Sequence, residues 1–291
     1  MSLTCNKALI NQFALSVDEA SDLVMNNDIE KDFNLGGSIE RALEGNYELN
    51  AGDVLKEAWN HTIKNFLSFS PAIVLLIAIQ VAIFVIALKL QLGDPSVIFD
   101  AVLDPESFDP SIFSAIMIAN FSFEVISAPI YAGISLMAMS HAAGLSTKPR
   151  HIGKGLQFTI PVIIATLASL VLQGIAGTLL PFLSLYFSLA FSNSMLLICE
   201  KKVPPMQSLL LSLRAVNKKL FPLLGIYFFI VIMFMVGVML YGIGLIFVLP
   251  FFFHVKGIIY RNMFGIKLKI IASDRPKNGD DNDNDSQVFN A

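Results

Sequence analysis

Six apolar runs, each close to twenty residues long, fill residues 66–264 of this 291-residue chain. A helix needs about 20 apolar residues to cross roughly 30 Å of hydrocarbon. In lipid the backbone must satisfy its own N–H and C=O groups, as a helix does. The expected fold class is therefore all-α: a polytopic transmembrane helical bundle of six spans. The spans are placed at Phe66–Leu90, Ala119–Ala143, Gly155–Leu179, Pro181–Cys199, Leu220–Tyr241 and Ile243–Phe264. They pair into three hairpins. Residues 111–123 are expected to form a short apolar or re-entrant helix ahead of span two.

The basic residues fix the direction of the spans. Nineteen of the twenty Lys and Arg residues fall before span one, between spans two and three, between spans four and five, or at and beyond the end of span six. The exception is Lys89, which opens a loop holding Asp94, Asp100, Asp104, Glu106 and Asp109. By the positive-inside rule both termini are expected in the cytoplasm of a bacterial cell, with the acidic loop outside the inner membrane. An odd number of spans would place one basic cluster outside. The apolar stretches begin only after residue 50, so no signal-peptide core is present and span one is expected to act as an uncleaved insertion signal.

The flanks are polar. Residues 1–52 are expected to be a largely disordered cytoplasmic arm, 53–270 the transmembrane domain with its lead-in helix, and 271–291 an acidic disordered tail. Asp280–Asp285 lacks the glycine and the final glutamate of a calcium loop, so a solvated tail is the reading. Within residues 53–65, Val54, Leu55, Ala58, Trp59, Thr62 and Ile63 recur at helical spacing opposite Lys56, Glu57, Asn60, His61 and Lys64. That pattern predicts an amphipathic helix lying in the plane of the membrane interface, with the chain's one Trp at headgroup level. Residues 208–221 repeat the theme ahead of span five. Pro129 and Gly144 bracket span two as Pro250 and Gly265 bracket span six, which suggests a parallel internal repeat.

Few residues carry chemistry. Glu124, His254, Gln80, Gln173 and Asn193 are the candidate intramembrane polar groups, since an ionisable or amide side chain in a span is a functional candidate. Each has a plainer reading as an interhelical hydrogen bond. Glu124 is expected about one turn from the outer surface. Lys256 is expected to snorkel to the cytoplasmic interface. Ser184, Ser188 and Ser192 on span four, with Gly174 and Gly177 on span three, are expected to be packing seams of small residues; a hydroxyl-lined conduit is the weaker alternative. Trp59, Lys64, Lys148, Arg150, Lys201, Lys202, Lys218 and Lys219 are candidate lipid-headgroup contacts.

The chain has no nucleophile elbow, Walker, HExxH or dinucleotide motif. No catalysis and no cofactor is expected. Cys5 and Cys199 fall on the same side, with no disulfide or zinc site expected. A net charge of −3 argues against nucleic acid. The expected partners are membrane lipids, with a membrane-protein partner or a second copy as further candidates.

Gly155–Gly265 carries a Pro-led helix (LPFLSLYFSLAFSNSMLLICEKKVPP), then Ser-Leu-Arg-Ala, Lys-Lys-Leu-Phe-Pro-Leu-Leu, Gly-Ile-Gly-Leu-Ile-Phe-Val-Leu-Pro and Tyr-Arg-Asn-Met-Phe-Gly. Pro129–Ala143 adds PIYAGISLMAMSHAA. Over residues 53–270 this resembles the bacterial six-helix membrane proteins of the BPSS-type and YciC-like families, which have no assigned biochemical activity. The resemblance implies fold and location only.

Two function classes follow. The first is a non-catalytic inner-membrane protein acting through lipid or protein contacts in envelope homeostasis. The second is a small-solute or ion transporter, which requires Glu124, Gln80, Gln173, Asn193 and His254 to converge on one cavity.

Overall fold

The computed structural model describes residues 31–98, 103 and 109–270. Cys5, Lys7, the acidic tail, and Asp100, Asp104 and Glu106 of the acidic loop lie outside those residues. The chain divides into two units, one made of residues 34–266 and the other including 31–33 and 267–270. Strands β1 (Lys31–Leu35) and β2 (Ile266–Ile270) pair into a two-stranded sheet. Everything else described is helix or turn, and the all-α reading holds.

The larger unit begins with α1 (Ile39–Glu44), capped by the Ser38 hydroxyl, which accepts from the Arg41 N–H. Residues 34–50 belong to the arm expected to be largely disordered, yet they are ordered and packed. Tyr47 is buried and donates its hydroxyl proton to the Ala215 carbonyl at 2.9 Å. Lys219 turns back to donate to the Tyr47 carbonyl and lies over the Tyr47 ring. One aromatic anchor therefore offsets the polarity that suggested disorder.

Six helices or helix pairs are long and apolar enough to cross a membrane. The first, α2 (Ala51–Leu92), runs 42 residues without a break, about 63 Å. The lead-in helix expected to lie in the interface plane is thus continuous with span one and stands beyond the apolar run. Helix α3 (Pro110–Ala142) is also unbroken, so residues 111–123 are its first turns and not a re-entrant piece. Pro110 at the first helical position, behind the Asp109 cap, gives it a defined start.

A ten-residue 3₁₀ segment, Pro149–Phe158, leads into α4 (Thr159–Leu179). Span four is broken into α5 (Pro181–Ala190) and α6 (Ser194–Lys201). The amphipathic α7 (Pro205–Lys218) follows, then α8 (Leu220–Met239) and α9 (Leu245–Phe264). Unlike the lead-in of α2, α7 is separated from its span by a kink at Lys219, so the two proposed repeat units differ here. The other anchors match: α3 and α9 each contain an internal proline and end just before a glycine of positive φ, Gly144 (79°) and Gly265 (68°).

The core lies between α2, α3 and α9, toward the end bearing the basic clusters. Phe69, Ile73, Leu76, Ile134, Met137 and Phe253 form its centre. From Ser127 on, α3 is almost wholly buried. Glycine sets the closest approaches: a Cβ on Gly133 would stand 2.0 Å from the Ile152 carbonyl oxygen, and one on Gly155 2.1 Å from the Pro129 carbonyl oxygen. The 3₁₀ segment therefore lies directly on the backbone of α3. Gly174 and Gly177, expected to form a seam, do not: Gly174 faces open space, and Gly177 is in ordinary contact with Ser184.

The break in span four leaves backbone groups that a helix would satisfy. Ser212 of α7 repairs part of it, donating to the Ala190 carbonyl at 2.6 Å and accepting from the Asn193 N–H at 3.3 Å. Ser212→Ala strands both groups in a buried site. The expected cost is about 1–3 kcal/mol, read as a lower unfolding midpoint of the purified protein in detergent.

Candidate functional site

Above the packed core the helices spread, and a cavity of about 1460 Å³ opens among all six spans. Ser114 and Tyr131 of α3 both line it, so it follows that helix for about 25 Å. At the basic end it stops against tight packing: Ala132–Met139 of α3 are buried, and a Cβ on Gly257 of α9 would meet the Ala138 backbone at 2.9 Å. On one side α5 and α8 both contribute wall residues, such as Leu185 and Phe228, yet hardly touch each other. The wall is mostly aliphatic and aromatic, with a few polar groups set into it.

Three of the five intramembrane candidates meet there. Glu124, Gln80 and Gln173 all line the cavity. Glu124 accepts from the Asn120 amide at 3.3 Å, Gln80 donates to Ser127 at 3.2 Å, and Gln173 donates to Ser169 at 2.7 Å. Glu124 lies fourteen residues past Pro110, about 21 Å from the start of α3. Ser184, Ser188 and Ser192 also line the cavity and bring hydroxyls to its wall, while Ser184 packs near Gly177 of α4.

Lys256 departs furthest from expectation. It does not snorkel: it is 5% exposed, it lines the cavity, and its ammonium reaches Tyr131, with Nζ 3.3 Å from the hydroxyl and 4.6 Å from the ring centre. Among the described residues it has no carboxylate within ion-pair distance. Thr166 Oγ1 and Tyr227 Oη, also in the cavity lining, are buried without a hydrogen-bond partner among the described residues; Tyr227 lies near Ser192. Periodicity could have flagged Tyr131 and Lys256 together only with knowledge of how α3 and α9 pair.

Asn193 and His254 do not join the cavity. Asn193 sits in the break of span four, its side-chain amide near the Met263 sulfur at 3.8 Å and its Oδ1 without a partner. His254 belongs to a buried polar chain that ties α2, α3 and α9 together. Thr62 Oγ1 donates to the Ala58 carbonyl at 2.7 Å and so accepts from His254 Nδ1–H at 3.0 Å. With both rings neutral, one assignment then satisfies every atom: His141 Nδ1–H donates to His254 Nε2 at 2.9 Å, and the Thr147 hydroxyl donates to His141 Nε2 at 2.8 Å. Phe69 packs against both rings. His141 was not singled out in the sequence because it reads as the polar end of a span.

An ion pair closes the same end from outside the apolar run. Arg261 forks onto both Glu57 oxygens, at 2.6 and 2.9 Å, and donates to the Ala142 carbonyl at 2.8 Å. Glu57 lies in the lead-in turns of α2, ahead of the membrane-crossing stretch. The hydrogen bond from His61, followed by the Arg261 fork, holds its carboxyl down at about 2, from an ordinary 4.5. A depressed carboxyl stabilises the fold fully above its ordinary value and loses that contribution as pH falls toward its folded value. The stability gap between wild type and Glu57→Gln is therefore widest above pH 4.5 and narrows toward pH 2, measurable by thermal unfolding across that range.

The candidate headgroup residues divide. Lys64, Lys148, Arg150, Lys202 and Lys218 have exposed side chains at the basic end. Lys201 pairs with Glu200 at 3.1 Å, and Lys219 is held on Tyr47. Trp59, 45% exposed, stacks edge-on against Phe247 and Phe251 of α9. Cys199 is buried with a free thiol. Among the described residues no three His, Cys, Asp or Glu side chains are grouped to hold a metal ion.

These features define a multi-pass helical membrane protein with an open, mostly apolar cavity in its bundle. No family model, curated protein or solved structure matches the chain.

Proposed function

We propose that the chain is a non-catalytic inner-membrane protein, with both termini cytoplasmic, that binds an amphiphilic molecule within its bundle. The observation that supports this reading is the cavity: long along the membrane normal, mostly apolar, closed at the basic end, and bordered by α5 and α8, which scarcely pack. Its lining residues Leu185 and Phe228, on α5 and α8, are largely exposed, so the cavity opens laterally, as entry of a ligand with hydrocarbon chains requires. The resemblance to six-helix bacterial membrane proteins is consistent with this placement and adds no activity.

Lipid retained through purification tests the reading. Ser188→Trp, on the cavity wall, is expected to lose co-purifying lipid that wild type and Gly225→Trp keep, because nothing lies within 4 Å of a Cβ at Gly225. Equal lipid content in all three proteins would remove the cavity as the binding site. Orientation is tested by reporter fusions, for which an external signal at Lys202 contradicts the topology.

A second reading, transport of a small solute or ion, draws on Glu124, Gln80 and Gln173 meeting on one wall. It is tested by complementing a gene deletion, under envelope stress and solute challenge, with Glu124→Gln. Full rescue rules out Glu124 as a coupling residue.

A further inference from the structure

We propose that Lys256 and Tyr131 form the headgroup seat of the cavity, and that the molecule bound is a lipid with an acidic, phosphate-bearing head. This rests on the amphiphile-binding reading above and names its ligand class. A buried ammonium needs an anion or strong acceptors around it. Lys256 is nineteen-twentieths buried and lines the cavity; among the described residues its ammonium bonds to the Tyr131 hydroxyl, lies over that ring, and has the neutral Cys199 thiol nearby, with no carboxylate in ion-pair distance. An ammonium carries three donors, and the Tyr131 hydroxyl takes one.

Other lining groups can complete the seat. Thr166 Oγ1 and Tyr227 Oη are buried in the lining of the same cavity with no hydrogen-bond partner among the described residues, and both are hydroxyls able to donate to a phosphate oxygen. They come from α4 and α8, whereas Tyr131 and Lys256 come from α3 and α9. Four helices thus present one ammonium and three hydroxyls to a single cavity. A tetrahedral oxyanion with several acceptor atoms matches that set better than a planar or neutral head.

The rest of the cavity orients the ligand. Glu124 lies seven residues before Tyr131 on the same face of α3, about 10 Å nearer the far end. Its carboxylate disfavours an acidic head there, and Lys256 favours one at the basic end. Between and beside them the wall is Met117, Phe121, Leu185, Leu224, Phe228 and Val231, which suits acyl chains. The loosely packed border between α5 and α8 gives those chains a way in from the bilayer.

The test uses the full-length protein in detergent and native mass spectrometry with lipids of identical acyl chains. Wild type is expected to bind phosphatidylglycerol about tenfold or more tightly than diacylglycerol, which lacks the phosphate, the effect of one charge-assisted bond in a buried site. Lys256→Met is expected to abolish that preference while keeping residual binding of both lipids. Lys256→Arg keeps the preference, and Tyr131→Phe, which retains the ring, weakens it. Inorganic phosphate at millimolar concentration is expected not to displace the lipid. Displacement by phosphate alone would show a site for a free anion and overturn the lipid assignment. Equal binding of the two lipids by wild type overturns the headgroup seat but leaves amphiphile binding intact. Absence of any lipid binding by folded wild type, checked by its unfolding midpoint, overturns both.

Discussion

Gly133→Ala is expected to lower the stability of the purified protein by about 3 kcal/mol, near the upper end of what overpacking costs. The added methyl would stand 2.0 Å from the Ile152 carbonyl oxygen, and that atom belongs to backbone, not to a flexible side chain. The 3₁₀ segment would have to lift from α3, and Gly155 would leave the Pro129 carbonyl with it. Gly155→Ala should behave alike, and the double variant should cost less than the sum, since the first change already separates the two segments. Gly225→Ala is the control: its methyl meets nothing within 4 Å, and the midpoint should move by no more than about 0.5 kcal/mol. Thermal unfolding in one detergent checks all four. A Gly133→Ala protein as stable as the control would mean that the contact does not hold the basic end closed.

The second large effect is expected at the histidine chain. His254→Leu removes the acceptor of His141 Nδ1–H and leaves that donor buried, which costs about 1–3 kcal/mol beyond the change in packing. His141→Leu removes the donor to His254 and leaves the Thr147 hydroxyl without its partner. Because the central bond is lost only once, the double variant should be less destabilised than the two single changes added together. A coupling of about 1 kcal/mol or more in a double-mutant cycle marks one connected chain; strict additivity marks two independent side chains. The chain matters for the cavity because it pins α2, α3 and α9 below it, where Arg261 and Glu57 add a fork outside the apolar run.

Much of the architecture was legible from local sequence. The six spans follow from apolar length, which one stretch of chain can report unaided. Gly144 and Gly265 marked the C-terminal ends of α3 and α9 for the same reason, a positive φ being a property of one residue's backbone, whereas Pro129 and Pro250 proved to lie inside those helices. The continuity of α2 was not legible: an amphipathic lead-in looks the same whether it lies along the interface or extends the span. Here Val54, Ala58 and Thr62 are buried, and Trp59 packs on Phe247 and Phe251 of α9, so the polar turns are held in line by another helix.

By itself the sequence determined membrane residence, the number of spans and the separation of basic from acidic loops, because hydrophobic length and charge act residue by residue against the bilayer. The tertiary structure alone decided what the polar groups do. Glu124, Gln80 and Gln173 share a cavity, while Asn193 and His254 turn away from it, although all five look equivalent in a one-dimensional reading. Lys256 sits at mid-helix, within reach of the interface only by snorkelling, and is kept inside by Tyr131 from a helix more than a hundred residues earlier. Such meetings depend on how α3 and α9 cross and rotate, which is set by close contacts such as Gly257 on Ala138. Apolar length says nothing about that rotation.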